Sequence, residues 1–234
     1  METREIMETK VVELPCELNR DNLFKRLHIK PDSSYIDRVD ELIAEALEIG
    51  KPKAAYKLAY VDAKGDDFVV IEGIQFTSRI LRVNMEEAFK AVPFVITCGR
   101  ELETWAKNNT DSFEMYIVDG IMEAVLRAAL ERFYPLIDEE FSLGHAVNMN
   151  PGSLSEWPLS EQQPLFKLLG DVQALIGVEL HESHLMSPIK SESGMRFSKE
   201  GSFYNCQLCP RKTCPGRKAP YDKNLYQEKY AKKD

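Results

Sequence analysis

Apolar positions recur every three or four residues in three stretches of the chain. Ile36, Val39, Leu42, Ile43, Ala46, Leu47 and Ile49 mark one helix face, closed by Gly50-Lys51-Pro52. Met115, Val118, Ile121, Met122, Val125, Leu126, Ala129, Leu130 and Phe133 mark the longest, predicting a helix near 112–133 that ends at Pro135. Leu165, Phe166, Leu168, Leu169, Val172 and Ile176 form the third, ended by Gly177. Between the first two, residues 55–61, 68–74 and 76–83 are strand-forming runs with turn signals at Lys64-Gly65-Asp66-Asp67 and around Gly73. Their connections are too short for crossover helices, which predicts an antiparallel meander. A short helix near 85–91, an apolar strand over 93–99 and a helix over 100–108 follow. Ser191, Ser193 and Gly194 predict a turn, residues 202–204 an aromatic strand, and the polar tail over 222–234 a frayed helix. The predicted fold class is α+β, a mixed, mainly antiparallel sheet packed with helices. It divides into an N-terminal helix and strands over 1–92, a second region over 93–221 and the tail, with the first two as one compact unit.

Composition narrows the function. The chain has 234 residues, 44% hydrophobic and 29% charged, which suits a soluble globular protein with a real core. A net charge of −8 argues against a nucleic-acid partner. No apolar run reaches membrane-spanning length, and the opening Met1-Glu2-Thr3-Arg4-Glu5-Ile6 lacks the apolar stretch of a secretion signal. Five cysteines, three of them between 206 and 214, predict reduced thiols in a cytoplasm.

The most informative stretch runs from Asn148 to Tyr204. It contains Asn148-Met149-Asn150-Pro151-Gly152-Ser153, then Trp157-Pro158-Leu159, then the third helix, then Met186-Ser187-Pro188, Ser191-Glu192-Ser193-Gly194-Met195-Arg196-Phe197 and Ser202-Phe203-Tyr204. In this order and spacing it resembles the activation domain of cobalamin-dependent methionine synthase. Thr97-Cys98-Gly99 before a helix, and Val118 to Val125 within one, extend the resemblance over most of the chain. The resemblance implies an activation-domain-like fold and binding of S-adenosylmethionine, so that oxidised cobalamin can be reductively methylated. The family's ligand loop reads Arg-x-x-Pro-Gly-Tyr. Pro151 and Gly152 match it, while Asn148 and Ser153 stand where the arginine and tyrosine would be. A later ligand-lining tyrosine of the family matches Tyr204. Asn148, Pro151, Gly152, Ser153 and Tyr204 are therefore the candidate cofactor-binding residues. Exchanging arginine for asparagine removes a charge-assisted contact worth roughly 1.5–3 kcal/mol.

Cys206, Cys209 and Cys214 have Cys-x₂-Cys-x₄-Cys spacing, which can bring thiolates onto one metal, with Cys98, Cys16, a histidine or an outside group as fourth ligand. Arg211, Lys212, Arg217 and Lys218 would favour thiolates there. An iron–sulfur cluster, zinc and free thiols all remain open on this spacing, which the methionine synthase domain lacks. His181 and His184 fall on opposite faces of a short strand and make a poor metal pair. No catalytic residue is assigned, and no Asp-x-His-x-x-Gly cobalamin motif is present. Two functions follow. One is a stand-alone activation-type protein that binds S-adenosylmethionine and serves cobalamin carried by a corrinoid-binding protein or methyltransferase, with flavodoxin or ferredoxin as electron donor. The other is a non-enzymatic metal or iron–sulfur redox or scaffold protein that docks on a corrinoid protein and has lost the nucleoside site.

Overall fold

Strand β6 (Lys90–Thr97) is apolar on both faces, and that makes it the spine of the molecule. Val92, Phe94 and Ile96 enter one core, and Ala91 and Val95 enter the other. The structure is a computed structural model describing residues 7–214 and 216–232. Residues 1–6, read above for a secretion signal, Pro215 and the last two tail residues lie outside the described residues.

One edge of β6 pairs with β10 (Ser191–Ser198) from Ser191↔Thr97 to Arg196↔Val92. The other edge is shared by β2 (Lys53–Tyr56) and β3 (Ala59–Lys64). β1 (Lys10–Glu13) extends β2, the hairpin of β4 (Phe68–Ile71) and β5 (Ile74–Thr77) follows β3, and β7 (Ala146–Met149) extends β10. Every pairing in this eight-stranded sheet is antiparallel, and β8 (Glu179–Leu180) and β9 (Met186–Ser187) form a separate small pair. Helices α1 (Arg20–Arg26), α2 (Ile36–Ile49), α4 (Arg100–Lys107) and α5 (Ser112–Glu140) contribute to the first core. The second core takes α3 (Arg79–Asn84), α6 (Gln162–Leu169), α7 (Val172–Ile176) and the tail residue Tyr230. The expected α+β class, with a mainly antiparallel sheet against helices, is what the chain adopts. Among the described residues no helix is long and apolar enough to cross a membrane.

Several local expectations are corrected. α5 does not stop at Pro135 but continues to Glu140. Phe133 and Ile137, on either side of the proline, are fully buried, and Phe133 packs on Tyr56 and Phe94 with ring centroids 5.3 and 5.4 Å apart. That packing outweighs the cost of about 3 kcal/mol for an internal proline. Residues 76–83 are not one strand. Ser78 Oγ accepts from Leu81 N at 3.1 Å and starts α3, which buries Ile80 and Leu81. The helix predicted over 85–91 is a turn leading into β6. The 55–61 strand divides because β2 and β3 take separate stretches of the β6 edge. The helix expected through Ile176 breaks at Gly170, and Asp171 caps a new one by accepting from Ala174 N at 2.9 Å.

The C-terminal third differs most. Ser191, Ser193 and Gly194 lie inside β10, and the chain bends earlier, at 188–190. No strand forms at 202–204; Phe203 is buried and a 3₁₀ turn, Asn205–Gln207, follows. The tail forms one π-helical turn, Tyr226–Tyr230, rather than a frayed helix. Tyr230 is fully buried, donates to Asn84 Oδ1 at 3.1 Å and sets its ring edge-on to Phe203, with centroids 6.4 Å apart.

Candidate ligand cavity

Strands β7 and β10 pair with Met195 opposite Met149 and Arg196 opposite Asn148. Side chains alternate across a strand. The odd-numbered Val147, Met149, Met195 and Phe197 therefore enter the second core. The even-numbered Asn148, Asn150, Glu192 and Arg196 turn the other way, toward the second half of α5. A cavity of about 620 Å³ opens between these strands, Tyr134 of α5 and the C-terminal segment, whose contributions include Tyr204, Cys206, Cys209, Cys214 and Lys218.

Tyr134 is the hub of the wall. Its hydroxyl donates to Glu192 Oε1 at 2.9 Å, and the Arg196 guanidinium lies over its ring, 4.9 Å from the centroid. Arg196 pairs with Asp138 through two nitrogens and donates from Nη1 to Asn148 Oδ1 at 2.9 Å. Asn150 Nδ2 donates to Glu192 Oε1 at 3.0 Å and to Ser193 O at 2.9 Å. This reach depends on Gly194, where a Cβ would stand 2.7 Å from Asn150 Nδ2 and 2.8 Å from Met149 O. Burial raises the Glu192 carboxyl above its usual range, opposed by the hydrogen bonds from Tyr134 and Asn150 and by the charges of Lys218 and Arg127. Burial, with Glu192 beside it, pushes the Tyr134 hydroxyl well above its ordinary value. Asn205, also in the wall, has a buried side-chain oxygen that no donor among the described residues meets.

The residues expected from sequence divide in two. Asn148, Ser153, Tyr204, Cys206, Cys209 and Cys214 all line this one cavity. Pro151 and Gly152 do not appear in its lining. Gly152 has φ +82°, donates to Trp157 O at 2.8 Å and would set a Cβ 2.7 Å from Leu159 Cδ1, so its backbone requirement is met by the turn itself. Position 148 carries no charge, yet a guanidinium reaches it from β10. Sequence reading missed Tyr134, Asn150, Glu192 and Arg196. The available signal was the alternation of Glu192, Gly194 and Arg196, which marks one face of a strand rather than a turn.

The three cysteines are half-buried. Lys218 N donates to Cys206 Sγ at 3.4 Å. Arg217 donates to the carbonyls of Cys206 at 2.9 Å, Ala219 at 3.1 Å and Cys209 at 3.1 Å. That guanidinium braces the segment's backbone. Among the described residues no three His, Cys, Asp or Glu side chains are gathered closely enough to hold a metal ion. Cys98 and Cys16 pack in or against the first core, where burial pushes their thiols up to about 12 and about 11. Neither lines the cavity. His181 and His184 do not share a strand: β8 ends at Leu180 and His184 N donates to His181 O at 2.9 Å across a turn, while His181 Nδ1 lies 3.6 Å from Glu179 Oε1.

No family model matches the chain, and no curated protein matches it in sequence. Among solved structures it is similar to the MetH reactivation domain bound to AdoHcy. The likeness has a TM-score of 0.59 at 17% identity, over 85% of this chain and 81% of that one. At this identity it is the fold that is shared: an activation-domain-like curled antiparallel sheet with helices.

Proposed function

We propose that the chain binds S-adenosylmethionine in the cavity between β7, β10, α5 and the C-terminal segment, as a stand-alone activation-type protein for cobalamin-dependent methyl transfer. One observation carries this reading. Asn148, Ser153 and Tyr204, singled out by resemblance to the ligand loop and tyrosine of the activation domain, line a single cavity, in a fold whose solved neighbour is bound to AdoHcy. The cavity has aromatic surface from Tyr134, Phe203 and Tyr204 for a nucleoside ring, and charged and amide groups for an amino-acid end. The methyl donor and the partner's corrinoid supply the chemistry of methyl transfer. This chain contributes binding, placement and exclusion of water. Its partner would be a corrinoid-binding protein or methyltransferase, with a flavodoxin or ferredoxin as electron source.

Titration calorimetry with S-adenosylmethionine at up to millimolar concentration tests the reading. Saturable heat that is lost in Tyr204→Ala is expected. Gly152 is a poor site for this test, because any side chain at its positive φ disturbs the turn. Absence of heat with the wild-type protein would end the proposal.

A second reading, a metal or iron–sulfur redox protein docking on a corrinoid protein, is favoured by Cys206, Cys209 and Cys214 lining the same cavity. Iron, zinc and sulfide content with an absorption spectrum, measured on anaerobically purified protein and on its triple Cys→Ser variant, decides it. Identical metal content and spectra for the two proteins would remove this reading.

A further inference from the structure

Glu192 is the unusual group in the cavity wall. Protein atoms pack closely round its carboxyl, yet part of the side chain stays open to the cavity. Two neutral donors, Tyr134 and Asn150, hold Oε1. Among the described residues no cation forms an ion pair with it. The nearest guanidinium on its strand, Arg196, is already committed to Asp138 and Asn148. Lys218, on the C-terminal segment, is close enough to act on Glu192 through space but does not pair with it. Both residues line the cavity, the lysine is exposed, and Asn205 in the same wall has its unmet acceptor. A carboxylate held this way bears much of its desolvation cost with only the unpaired charges of Lys218 and Arg127 acting on it through space. Such a site is complete only when a ligand brings the positive charge.

We propose that Glu192 and Lys218 form the recognition site for a ligand's α-amino-acid group, with Glu192 taking the ammonium and Lys218 the carboxylate. This deepens the S-adenosylmethionine reading and rests on it. It puts the charges that select the ligand on β10 and the C-terminal segment instead of the 148–153 loop, which has none. Tyr134 and Asn150 act as positioning residues that fix the carboxylate, and Gly194 keeps the space Asn150 needs.

Three ligands separate the possibilities. S-adenosylhomocysteine has the amino-acid group without the sulfonium, S-adenosylmethionine has both, and 5′-methylthioadenosine has neither. Calorimetry on the full chain should show Glu192→Gln weakening the first two by about tenfold or more while leaving methylthioadenosine unchanged, as expected for loss of a charge-assisted contact. Lys218→Gln, at an exposed position, should give the same pattern with a smaller loss, and it replaces the first variant if melting curves show that Glu192→Gln does not fold. Equal weakening of all three ligands, or of none, overturns the proposal while the function reading stands. Selective loss of S-adenosylmethionine alone would assign Glu192 to the sulfonium and overturn the ammonium assignment. If the wild-type protein binds none of the three, the function reading fails and this inference with it.

Discussion

The two faces of β10 are one residue apart and chemically opposite. On one, Met195 and Phe197 are fully buried against apolar side chains from α6 and β7. On the other, Glu192 and Arg196 hold charge beside a cavity, each fixed by hydrogen bonds from or to named neighbours. The apolar face spends its contacts on stability, and any well-packed hydrophobe of similar shape could do that. The polar face keeps a carboxylate where burial disfavours its charge, a strain that stability alone would remove. Local rules are broken on one side only, and that is where a binding site is to be expected.

Substitutions can test whether the two faces are separable. The largest effect belongs to the apolar face. Phe197→Ala should cost about 3–5 kcal/mol in denaturant unfolding by leaving a cavity in the core. Ligand affinity per folded molecule should stay near wild type, and a collapse of affinity in protein shown to be folded would break the separation. Arg196→Met should cost less, about 2 kcal/mol, because it leaves Asp138 without its partner at a partly exposed position. It should also loosen Asn148 and Tyr134, so affinity falls as well. Retained affinity would confine Arg196 to a structural role.

The smallest stability effect has an unusual sign. Glu192 has a raised carboxyl pKa in the folded chain, so its contribution to stability is fully present below the unfolded value and is lost as pH rises through the folded value. Glu192→Gln should therefore melt slightly above wild type near neutral pH without ligand. The gap should close as pH falls into the ordinary carboxylate range. A variant less stable than wild type at neutral pH, with a constant gap, would show that the carboxylate is not penalised in the fold.

Sequence periodicity was most reliable where one element buried one face. α2 runs over Ile36–Ile49 as its apolar spacing predicts, and the β4–β5 turn falls at Glu72 and Gly73, both at positive φ. It failed where tertiary contacts outvoted a local signal. Pro135 lies inside α5 because Phe133 and Ile137 anchor both sides, and Ser78 redirects a strand-like run into α3. The cavity was half legible. Its loop and segment residues Asn148, Ser153, Tyr204 and the three cysteines stood out by resemblance and spacing. Tyr134 stands at the predicted end of a helix whose apolar pattern reports only the core, and Glu192 and Arg196 lie within and just after a stretch whose serines and glycine signal a turn. Strand register, which sequence does not give, decides which residues share the pocket.

The contact between the Phe203 and Tyr230 rings has a consequence for how this molecule could change over time. The two rings clasp the ends of the segment that carries the cysteines, Lys218 and one side of the cavity. A loop with fixed ends can be lengthened cheaply, since each doubling costs only about 0.6 kcal/mol of closure entropy. The walls on β7, β10 and α5 are locked into the sheet and core, but the roof can be rewritten behind its clasp. A chain built this way can acquire a different ligand preference by insertion or deletion in one stretch, leaving the strands that hold Glu192 and Arg196 untouched.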